Sequence, residues 1–327
     1  MNKGRVFLKE KVSVIMPVYN GERFIAEAIS SVLEQSYENL ELIIINDGST
    51  DNTAEVLSSF SDRDRIMILK HHTNKGKVAA INYGIKESTG DLIVLLAADD
   101  VLPRNSLERR VESVCSNGVA FCNIWVCDEK LDKIKLAYDY KQSVVFWEDS
   151  KRHLLLYNMV GGGAIIFSKN LADKIFPIPE KLQFEDWWIT FFALMHAGQM
   201  NYLDEPLLLY RIHGNNDNGS LAIFGRDARI KKDFSRHLVF YQELKNKVAQ
   251  LEHFDTQEFL DIITMNEQIK EKVIEGKLVP WDKDFIRLYG ILEYIKLNMI
   301  SLEISALPSL FVRYIKKLKK RVDLGVK

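Results

Sequence analysis

Residues 12–37 read VSVIMPVYNGERFIAEAISSVLEQSY, and residues 41–53 read ELIIINDGSTDNT. Each segment carries a short apolar run that breaks into a turn rich in Asn, Gly, Asp or Ser. Apolar runs of this length, bounded by turn residues, fit strands buried on both faces. Between the two runs, Phe24, Ile25, Ala28, Ile29, Val32 and Leu33 follow the spacing of an amphipathic helix. Strand, helix and strand in that order predict a crossover unit with parallel strands.

The pattern continues outward. Thr50 or Asp51 is placed to cap a helix over residues 53–60, residues 66–69 read as a third strand, and residues 78–85 are helical again. Thr89-Gly90 interrupts that helix, and residues 91–96 (DLIVLL) form a fourth strand. This alternation predicts an α/β fold with a Rossmann-like, mainly parallel central sheet flanked by helices. Sheets of this kind bind ligands beyond the carboxyl ends of their strands. Further on, residues 119–126 and 164–167 read as strands, the second preceded by Gly161-Gly162-Gly163. Residues 187–197 read as a helix, and residues 202–203 and 207–210 as extended pieces around Pro206. From residue 226 the pattern is helical and polar. The expected organisation is one α/β domain over residues 1–225 and a C-terminal helical extension over residues 226–327.

The chain has 327 residues, 47% hydrophobic and 27% charged, which suits a globular protein. A formal net charge of -1 gives no global signal for nucleic acid, so none is expected as a partner. The three cysteines, Cys115, Cys122 and Cys127, fit no zinc spacing and read as small buried hydrophobes in a reducing compartment. No apolar stretch precedes the first strand, and no window of about 18 apolar residues occurs. Neither a signal peptide nor a spanning helix is therefore expected. G-x-G-x-x-G, P-loop, H-E-x-x-H and G-x-S-x-G motifs are absent, which argues against a nicotinamide dehydrogenase, a P-loop kinase and a serine hydrolase.

Polar clusters sit where strands end: PVYNG at residues 17–21, NDGSTD at 46–51 and AADD at 97–100, with FEDWW at 184–188 further on. In a parallel sheet the first three converge on one edge. Asp99 and Asp100 repel each other after an apolar strand, and Mg²⁺ or Mn²⁺ would relieve that repulsion while sharing its shell with phosphates. A helix cap before Pro103 and Ser106 is the plainer alternative. Asp47 lies in a Gly/Ser/Thr turn, where a carboxylate either stabilises the turn or accepts from a base N–H. Tyr19 offers an aromatic face for the base. Glu185 and Asp186 open a helix, where acids are common, yet a carboxylate beside Trp187 and Trp188 is also desolvated and made more basic. The two tryptophans are candidates for stacking on an acceptor sugar. Arg211 and His213 precede a polar loop; Arg211 is a candidate for neutralising a diphosphate and His213 for a metal ligand.

With these residues in view, residues 11–220 resemble the family-2 glycosyltransferases of the GT-A fold. The resemblance rests on the two opening segments, on NKGKVAAINYGI (74–85) and on TGDLIVLLAADDVLP (89–103), which agree in order and spacing. It implies an enzyme transferring a hexosyl or related sugar from a nucleotide-diphosphate donor, expected to be a UDP-sugar, with inversion. It implies a nucleotide-binding half over residues 1–103 and an acceptor-binding half over 104–225. Pro17, Val18, Tyr19 and Asn20 would border the nucleotide, Asp47 would bind the base, and Asn74 and Lys77 would lie near the base or phosphates. Asp99 would contact ribose or metal, Asp100 the metal, and His213 would complete the metal–diphosphate site. Asp186 would be the general base, with Glu185 the second choice. Ala97 departs from the D-x-D triplet common in the family, leaving open which of Asp99 and Asp100 holds Mn²⁺ or Mg²⁺.

Leu310, Phe311, Tyr314, Ile315, Leu318 and Val322 form a helical stripe flanked by Lys and Arg. Residues 310–322 therefore read either as a helix on an anionic membrane surface or as a packed helix with a solvated face. The expected setting is the cytoplasm, peripheral at the membrane's inner face, with a glycan or lipid-linked acceptor in surface polysaccharide synthesis. The rival reading is a non-catalytic sugar-nucleotide or glycan-binding module, supported by Ala97. A nucleotidyltransferase would place a basic, Gly-rich loop where this chain has PVYNGERF.

Overall fold

The computed structural model describes residues 10–60, 64–114, 117–138, 140, 144–155, 158–214, 216, 226–250, 256–275 and 277. The stretch 310–322 and Cys115 lie outside the described residues. The chain divides into two units, Met1–Ser220 and Leu221–Lys327.

In the first unit the chain runs β1 (Val12–Val18), α1 (Ile25–Leu33), β2 (Leu40–Asp47), α2 (Thr53–Ser58), β3 (Ile66–His71), α3 (Lys77–Glu87) and β4 (Leu92–Leu95). There follow α4 (Ser106–Ser113), β5 (Val119–Cys127), β6 (Lys133–Leu136), β7 (Val144–Phe146) and α5 (Trp147–Leu154). A 3₁₀ turn (Gly162–Ala164), β8 (Ile165–Ser168), α6 (Lys169–Ile175), α7 (Glu185–Ala197) and β9 (Gln199–Arg211) complete it. The sheet order is β3-β2-β1-β4-β8-β5-β9-β7, with β6 paired to β5.

The first four strands are parallel, as the alternating pattern predicts. The rest of the sheet mixes directions, but among the described strands six of nine (β1 to β5 and β9) still share one direction, as expected of a mainly parallel sheet. β8 enters antiparallel between β4 and β5, β7 runs antiparallel to β9, and only β5 and β9 resume parallel pairing. The chain order reverses between β1 and β4, so their carboxyl ends diverge and leave a crevice there.

Two local readings also change. β1 continues through Pro17 to Val18, and Pro17 pairs with Ile45. The Ile15 carbonyl accepts from the Leu96 N–H, so alternate β1 residues face β4. The Pro17 nitrogen, which has no hydrogen to donate, therefore falls just past the last residue of β4. The two short pieces around Pro206 are one strand of 13 residues. Its pairing with β5 shifts register on either side of Asn123, which opposes Pro206, as expected at a bulge.

The core is built from β1, β2 and β4, where Val12, Val14, Ile15, Ile43, Ile44, Ile45, Ile93 and Val94 are buried. Ile25, Ala28, Ile29 and Val32 of α1 bury the expected stripe. Gly84 on α3 meets the sheet so closely that a Cβ would lie 2.6 Å from Ile15 and Ile45 side-chain atoms. On the other side, α7 buries Trp187, Trp188, Ile189, Phe191, Phe192, Ala193 and Leu194, almost its whole circumference.

The second unit contains α8 (Arg226–Val248) and α9 (Thr256–Ile274). They bury Phe240, Tyr241, Leu244 and Val248 of α8 and Phe259, Ile263, Ile269 and Val273 of α9. Lys270 is buried among them and donates to Tyr241 Oη at 2.6 Å. Among the described residues, no helix is long and apolar enough to cross a membrane.

Candidate active site

A cleft of about 900 Å³ opens at the carboxyl ends of β1, β2 and β4, within the range of about 300–1,000 Å³ usual for small-molecule sites. Pro17, Val18, Tyr19, Asn20, Asp47, Asn74, Lys77, Asp99, Asp100, Glu185, Asp186 and His213 all line it. Segments separated by more than a hundred residues thus meet at the switch point of the sheet.

The loops after β1 and β2 hold each other. Asn20 adopts a positive φ of 54°, and its side-chain oxygen accepts from the Thr50 N–H at 2.8 Å. The Asn20 N–H donates to Ser49 Oγ and the Gly21 N–H to Thr53 Oγ1. Gly48 has φ +69°, and a Cβ there would sit 2.7 Å from the Asn74 nitrogen. Only glycine satisfies both the left-handed backbone and that approach. Tyr19 remains 48% exposed on the cleft, a free aromatic face.

Asp47 is buried and already engaged. Its carboxylate accepts from the backbone N–H groups of Lys75 and Gly76 at 2.9 and 2.8 Å, and Oδ1 lies 2.6 Å from His71 Nδ1. Three of about four acceptor positions are filled. Asp47 therefore shapes the loop that starts α3 and keeps room for one more donor. Asn74 tightens the same loop by accepting from the Gly76 N–H.

Asp99 and Asp100 do not cap α4, whose N-cap is Asn105. Asp100 is buried, and burial together with the neighbouring Asp99 charge pushes its carboxyl well above the usual carboxylate range. A dication would favour the ionised form. Asp99 Oδ2 lies 2.9 Å from His213 Nε2 and accepts from Asn216 Nδ2 at 2.9 Å. Asp99, Asp100 and His213, the expected metal triad, line one cleft together, although among the described residues no three His, Cys, Asp or Glu side chains form a ready metal cage. His213 Nε2 faces Asp99, and Asp100 Oδ1 accepts from the Arg211 N–H at 3.0 Å. Two adjacent oxygen ligands still fit Mg²⁺ or Mn²⁺, whose shell is commonly completed by substrate phosphates and water.

On the opposite wall, the first turn of α7 presents Glu185 and Asp186. Glu185 is buried and forms an ion pair with Lys77, the first residue of α3. Asp186 is raised to about 7, first by burial and then by the Glu185 charge, against the pull of Lys77. A carboxylate with that basicity at a cleft wall is suited to accept a proton near neutral pH.

The model of the family described as Glycosyl transferase family 2 matches residues 13–176, just over half of the 327 residues. The chain belongs to this glycosyltransferase family. A Haemophilus influenzae protein named only as an uncharacterized glycosyltransferase is 38% identical over 134 residues, covering 40% of this chain and 54% of that protein. The chain thus matches little more than half the length of that relative. Among solved structures, Staphylococcus aureus TarS 1-349 has a TM-score of 0.60 at 16% identity, over 88% of this chain and 83% of that one. The same TarS fragment in complex with UDP-GlcNAc gives 0.57. The mannosyltransferase PcManGT of Pyrobaculum calidifontis, in complex with GDP-Man and Mn²⁺, gives 0.54 at 15% identity, over 94% of this chain and 80% of that one. These likenesses identify the GT-A glycosyltransferase fold.

Three expected site residues of this glycosyltransferase lie elsewhere. Arg211 is 2% exposed and does not line the cleft. Its Nε donates to the Asp99 carbonyl at 2.8 Å, and its other nitrogens reach the Glu129 carbonyl and the Glu27 carboxylate. With the guanidinium 4.5 Å from the Phe24 ring centroid, it is a strut that holds the acidic turn against α1. Trp187 and Trp188 are each 1% exposed. Their indole N–H groups donate to the Leu154 and Ile175 carbonyls, so their faces are spent on the core and not on an acceptor.

The cleft also has residues that the pattern alone did not single out. Gly161, Gly162 and Gly163 form its wall beside Asp186. A Cβ on Gly162 would lie 3.3 Å from Asp186 Cβ, and one on Gly163 2.8 Å from Leu208. The glycine triplet itself was a usable signal, because glycine clusters mark close backbone approach. Tyr138, whose oxygen accepts from the Gly161 N–H at 2.7 Å, stands on the same wall. Nothing in its local sequence distinguishes it.

Proposed function

We propose that this chain is an inverting glycosyltransferase that binds a nucleotide-diphosphate sugar in the cleft and transfers the sugar to an acceptor hydroxyl. The observation that carries the proposal is the pairing of two unlike acid sites across one cleft. Asp99 and Asp100 form one; Asp186, raised to about 7, forms the other. Residues 1–103 would bind the donor, residues 104–225 the acceptor, and residues 226–327 would be a helical attachment.

The nucleotide would rest between Tyr19 and the loop held by Asp47, with Pro17, Val18 and Asn20 forming the edge. Lys77 is the cleft cation nearest in sequence to that loop and would meet the phosphates. Mn²⁺ or Mg²⁺ would be held by Asp99 and Asp100, with His213 available if it turns from Asp99. When bound, the cation supplies charge neutralisation for the diphosphate leaving group. Asp186 would take the proton of the acceptor hydroxyl, and attack from the face opposite the leaving diphosphate inverts the anomeric carbon. UDP-GlcNAc and GDP-Man, seen bound to proteins of similar fold, are the donor types to try first.

The proposed acceptor is a surface glycan or its lipid-linked precursor, reached at the inner face of the membrane through residues 310–322. Loss of flotation with anionic vesicles on deleting those residues is the expected result; unchanged flotation refutes the anchor. Ala97 keeps a binding module as the second reading. Thermal-shift titration with nucleotide-sugars and Mn²⁺ should raise the melting temperature, and hydrolysis of the stabilising donor without acceptor separates an enzyme from a binder. A panel that leaves the melting temperature unmoved would refute the donor site.

A further inference from the structure

Among the described residues, the cleft carries more acids than cations. Asp47, Asp99, Asp100, Glu185 and Asp186 line it against Arg23 and Lys77. Arg23 is 63% exposed at the rim, paired with Glu129. Lys77 instead reaches from the start of α3 to Glu185 at the start of α7, joining the two walls.

The partners of this pair are unequal. The Lys77 side chain is 47% exposed, whereas that of Glu185 is 8% exposed. Lysine carries its charge on a flexible four-carbon stem with rotatable donors. The half-exposed Lys77 can therefore exchange one partner for another at the cleft surface, and the buried Glu185 cannot follow it. A diphosphate entering beside α3 brings new negative charge within reach of that ammonium group.

Resting on the donor reading above, we infer that Lys77 changes partners when the donor binds, passing from Glu185 to the phosphates and so opening the Glu185–Asp186 wall to the acceptor. Donor and Glu185 then compete for one cation. The donor's apparent affinity is lowered by the fraction of molecules in which Glu185 holds Lys77. Once Lys77 has left, Glu185 is an unneutralised carboxylate beside Asp186, and a like charge there strengthens the base. The direction agrees with the present state, in which Glu185 raises Asp186 and Lys77 lowers it. Lys77 is in this account a positioning residue that couples donor arrival to acceptor readiness.

The test is calorimetric titration of the full chain with UDP, UDP-GlcNAc and GDP-mannose in Mn²⁺, with uridine as a phosphate-free control. Glu185→Gln should tighten the diphosphate ligands about 3–10-fold by removing the competitor, and leave uridine unchanged. Lys77→Met should weaken the same ligands, and Lys77→Met/Glu185→Gln should bind like Lys77→Met because the gain requires the lysine. Unchanged or weaker diphosphate binding by Glu185→Gln overturns the exchange while leaving the donor site standing. If the wild type binds none of the three diphosphate probes, the donor site falls and the exchange falls with it. Lys77→Met alters a half-exposed side chain and serves as the second arm if Glu185→Gln does not fold. Undiminished UDP affinity in that variant also overturns the exchange.

Discussion

The wall of the cleft that follows β1, β2 and β4 and the wall formed by α7 and the glycine turn reach the same rim by different routes. The first uses strand ends. Its polar residues emerge from buried parallel strands and are fixed by side chains that grip neighbouring backbone, as Asn20 grips Thr50 and Asp47 grips Lys75 and Gly76. The second uses a helix start driven deep into the core. Trp187 and Trp188 anchor it, and Glu185 and Asp186 are left at its tip. Rigidity thus comes from hydrogen bonds on one side and from apolar packing on the other. Damage to the two walls should therefore be felt differently, in ligand binding and stability together on the first and in folding or proton transfer separately on the second.

The largest expected effect is on the second wall. Asp186→Asn keeps shape and removes the proposed base, so transfer should fall about 10²–10⁴-fold, while donor titration stays within twofold, about 0.4 kcal/mol. Turnover equal to wild type would remove Asp186 from the chemistry. The pH profile sharpens the same point. Asp186 must be ionised to accept a proton and is raised to about 7. Below that value kcat should fall roughly tenfold per pH unit, and above it should level. Glu185→Gln removes a charge that raises Asp186, so the acid limb should move to lower pH; departure of Lys77, whose charge lowers Asp186, works against that shift and is the smaller of the two effects. A limb that stays in place would mean that Glu185 does not set the base.

Next is Trp188→Ala. Its ring is fully buried and its N–H is bonded to Ile175, so the loss should be about 3–5 kcal/mol of stability. Denaturant unfolding measures it directly. A loss below about 1 kcal/mol, with acceptor KM raised instead, would restore the tryptophan to the acceptor site.

The same contrast explains what was legible in the sequence. The run from β1 to β4 can be read residue by residue because each strand is a buried apolar run and each helix a stripe. The polar residues at its ends have few places to go. Later strands give no such guide. The apolar run Ile165–Ser168 reads as a strand, but nothing local says that it inserts antiparallel between β4 and β5. Arg211 looks like an anion ligand by type. Its real partners, Asp99 and Glu27, are 112 and 184 residues away, and only the folded chain brings them together. Trp187 and Trp188 mislead for a related reason. An acid pair followed by aromatics resembles a sugar platform, yet the helix has apolar residues on nearly every face and must bury them.

On the first wall, Gly48→Ala should cost about 1–3 kcal/mol, because the left-handed backbone is strained and the new Cβ is driven against Asn74. Because Gly48 joins Asp47 to the loop before α3, affinity for UDP should fall along with the melting temperature. An unchanged melting temperature would show that the loop yields easily, and the hydrogen-bonded wall would then be softer than the packed one.

The smallest effect should come from Tyr19, which touches the comparison at its most exposed point. Its ring is 48% exposed, so truncation removes little from the folded state, and Tyr19→Ala should leave the unfolding midpoint within the error of measurement. If the ring stacks on the base, stacking is worth about 0.5–1.5 kcal/mol, and nucleotide affinity should weaken roughly 2–13-fold. Tyr19→Phe should restore it, since the face and not the hydroxyl carries the contact. Tyr19→Ala with full uridine affinity would leave Tyr19 as rim surface and shift base recognition to the fourth acceptor position of Asp47. Asp47→Asn then becomes the decisive variant. It would weaken the hold on the Lys75 and Gly76 N–H groups, and its damage should appear in binding and stability together.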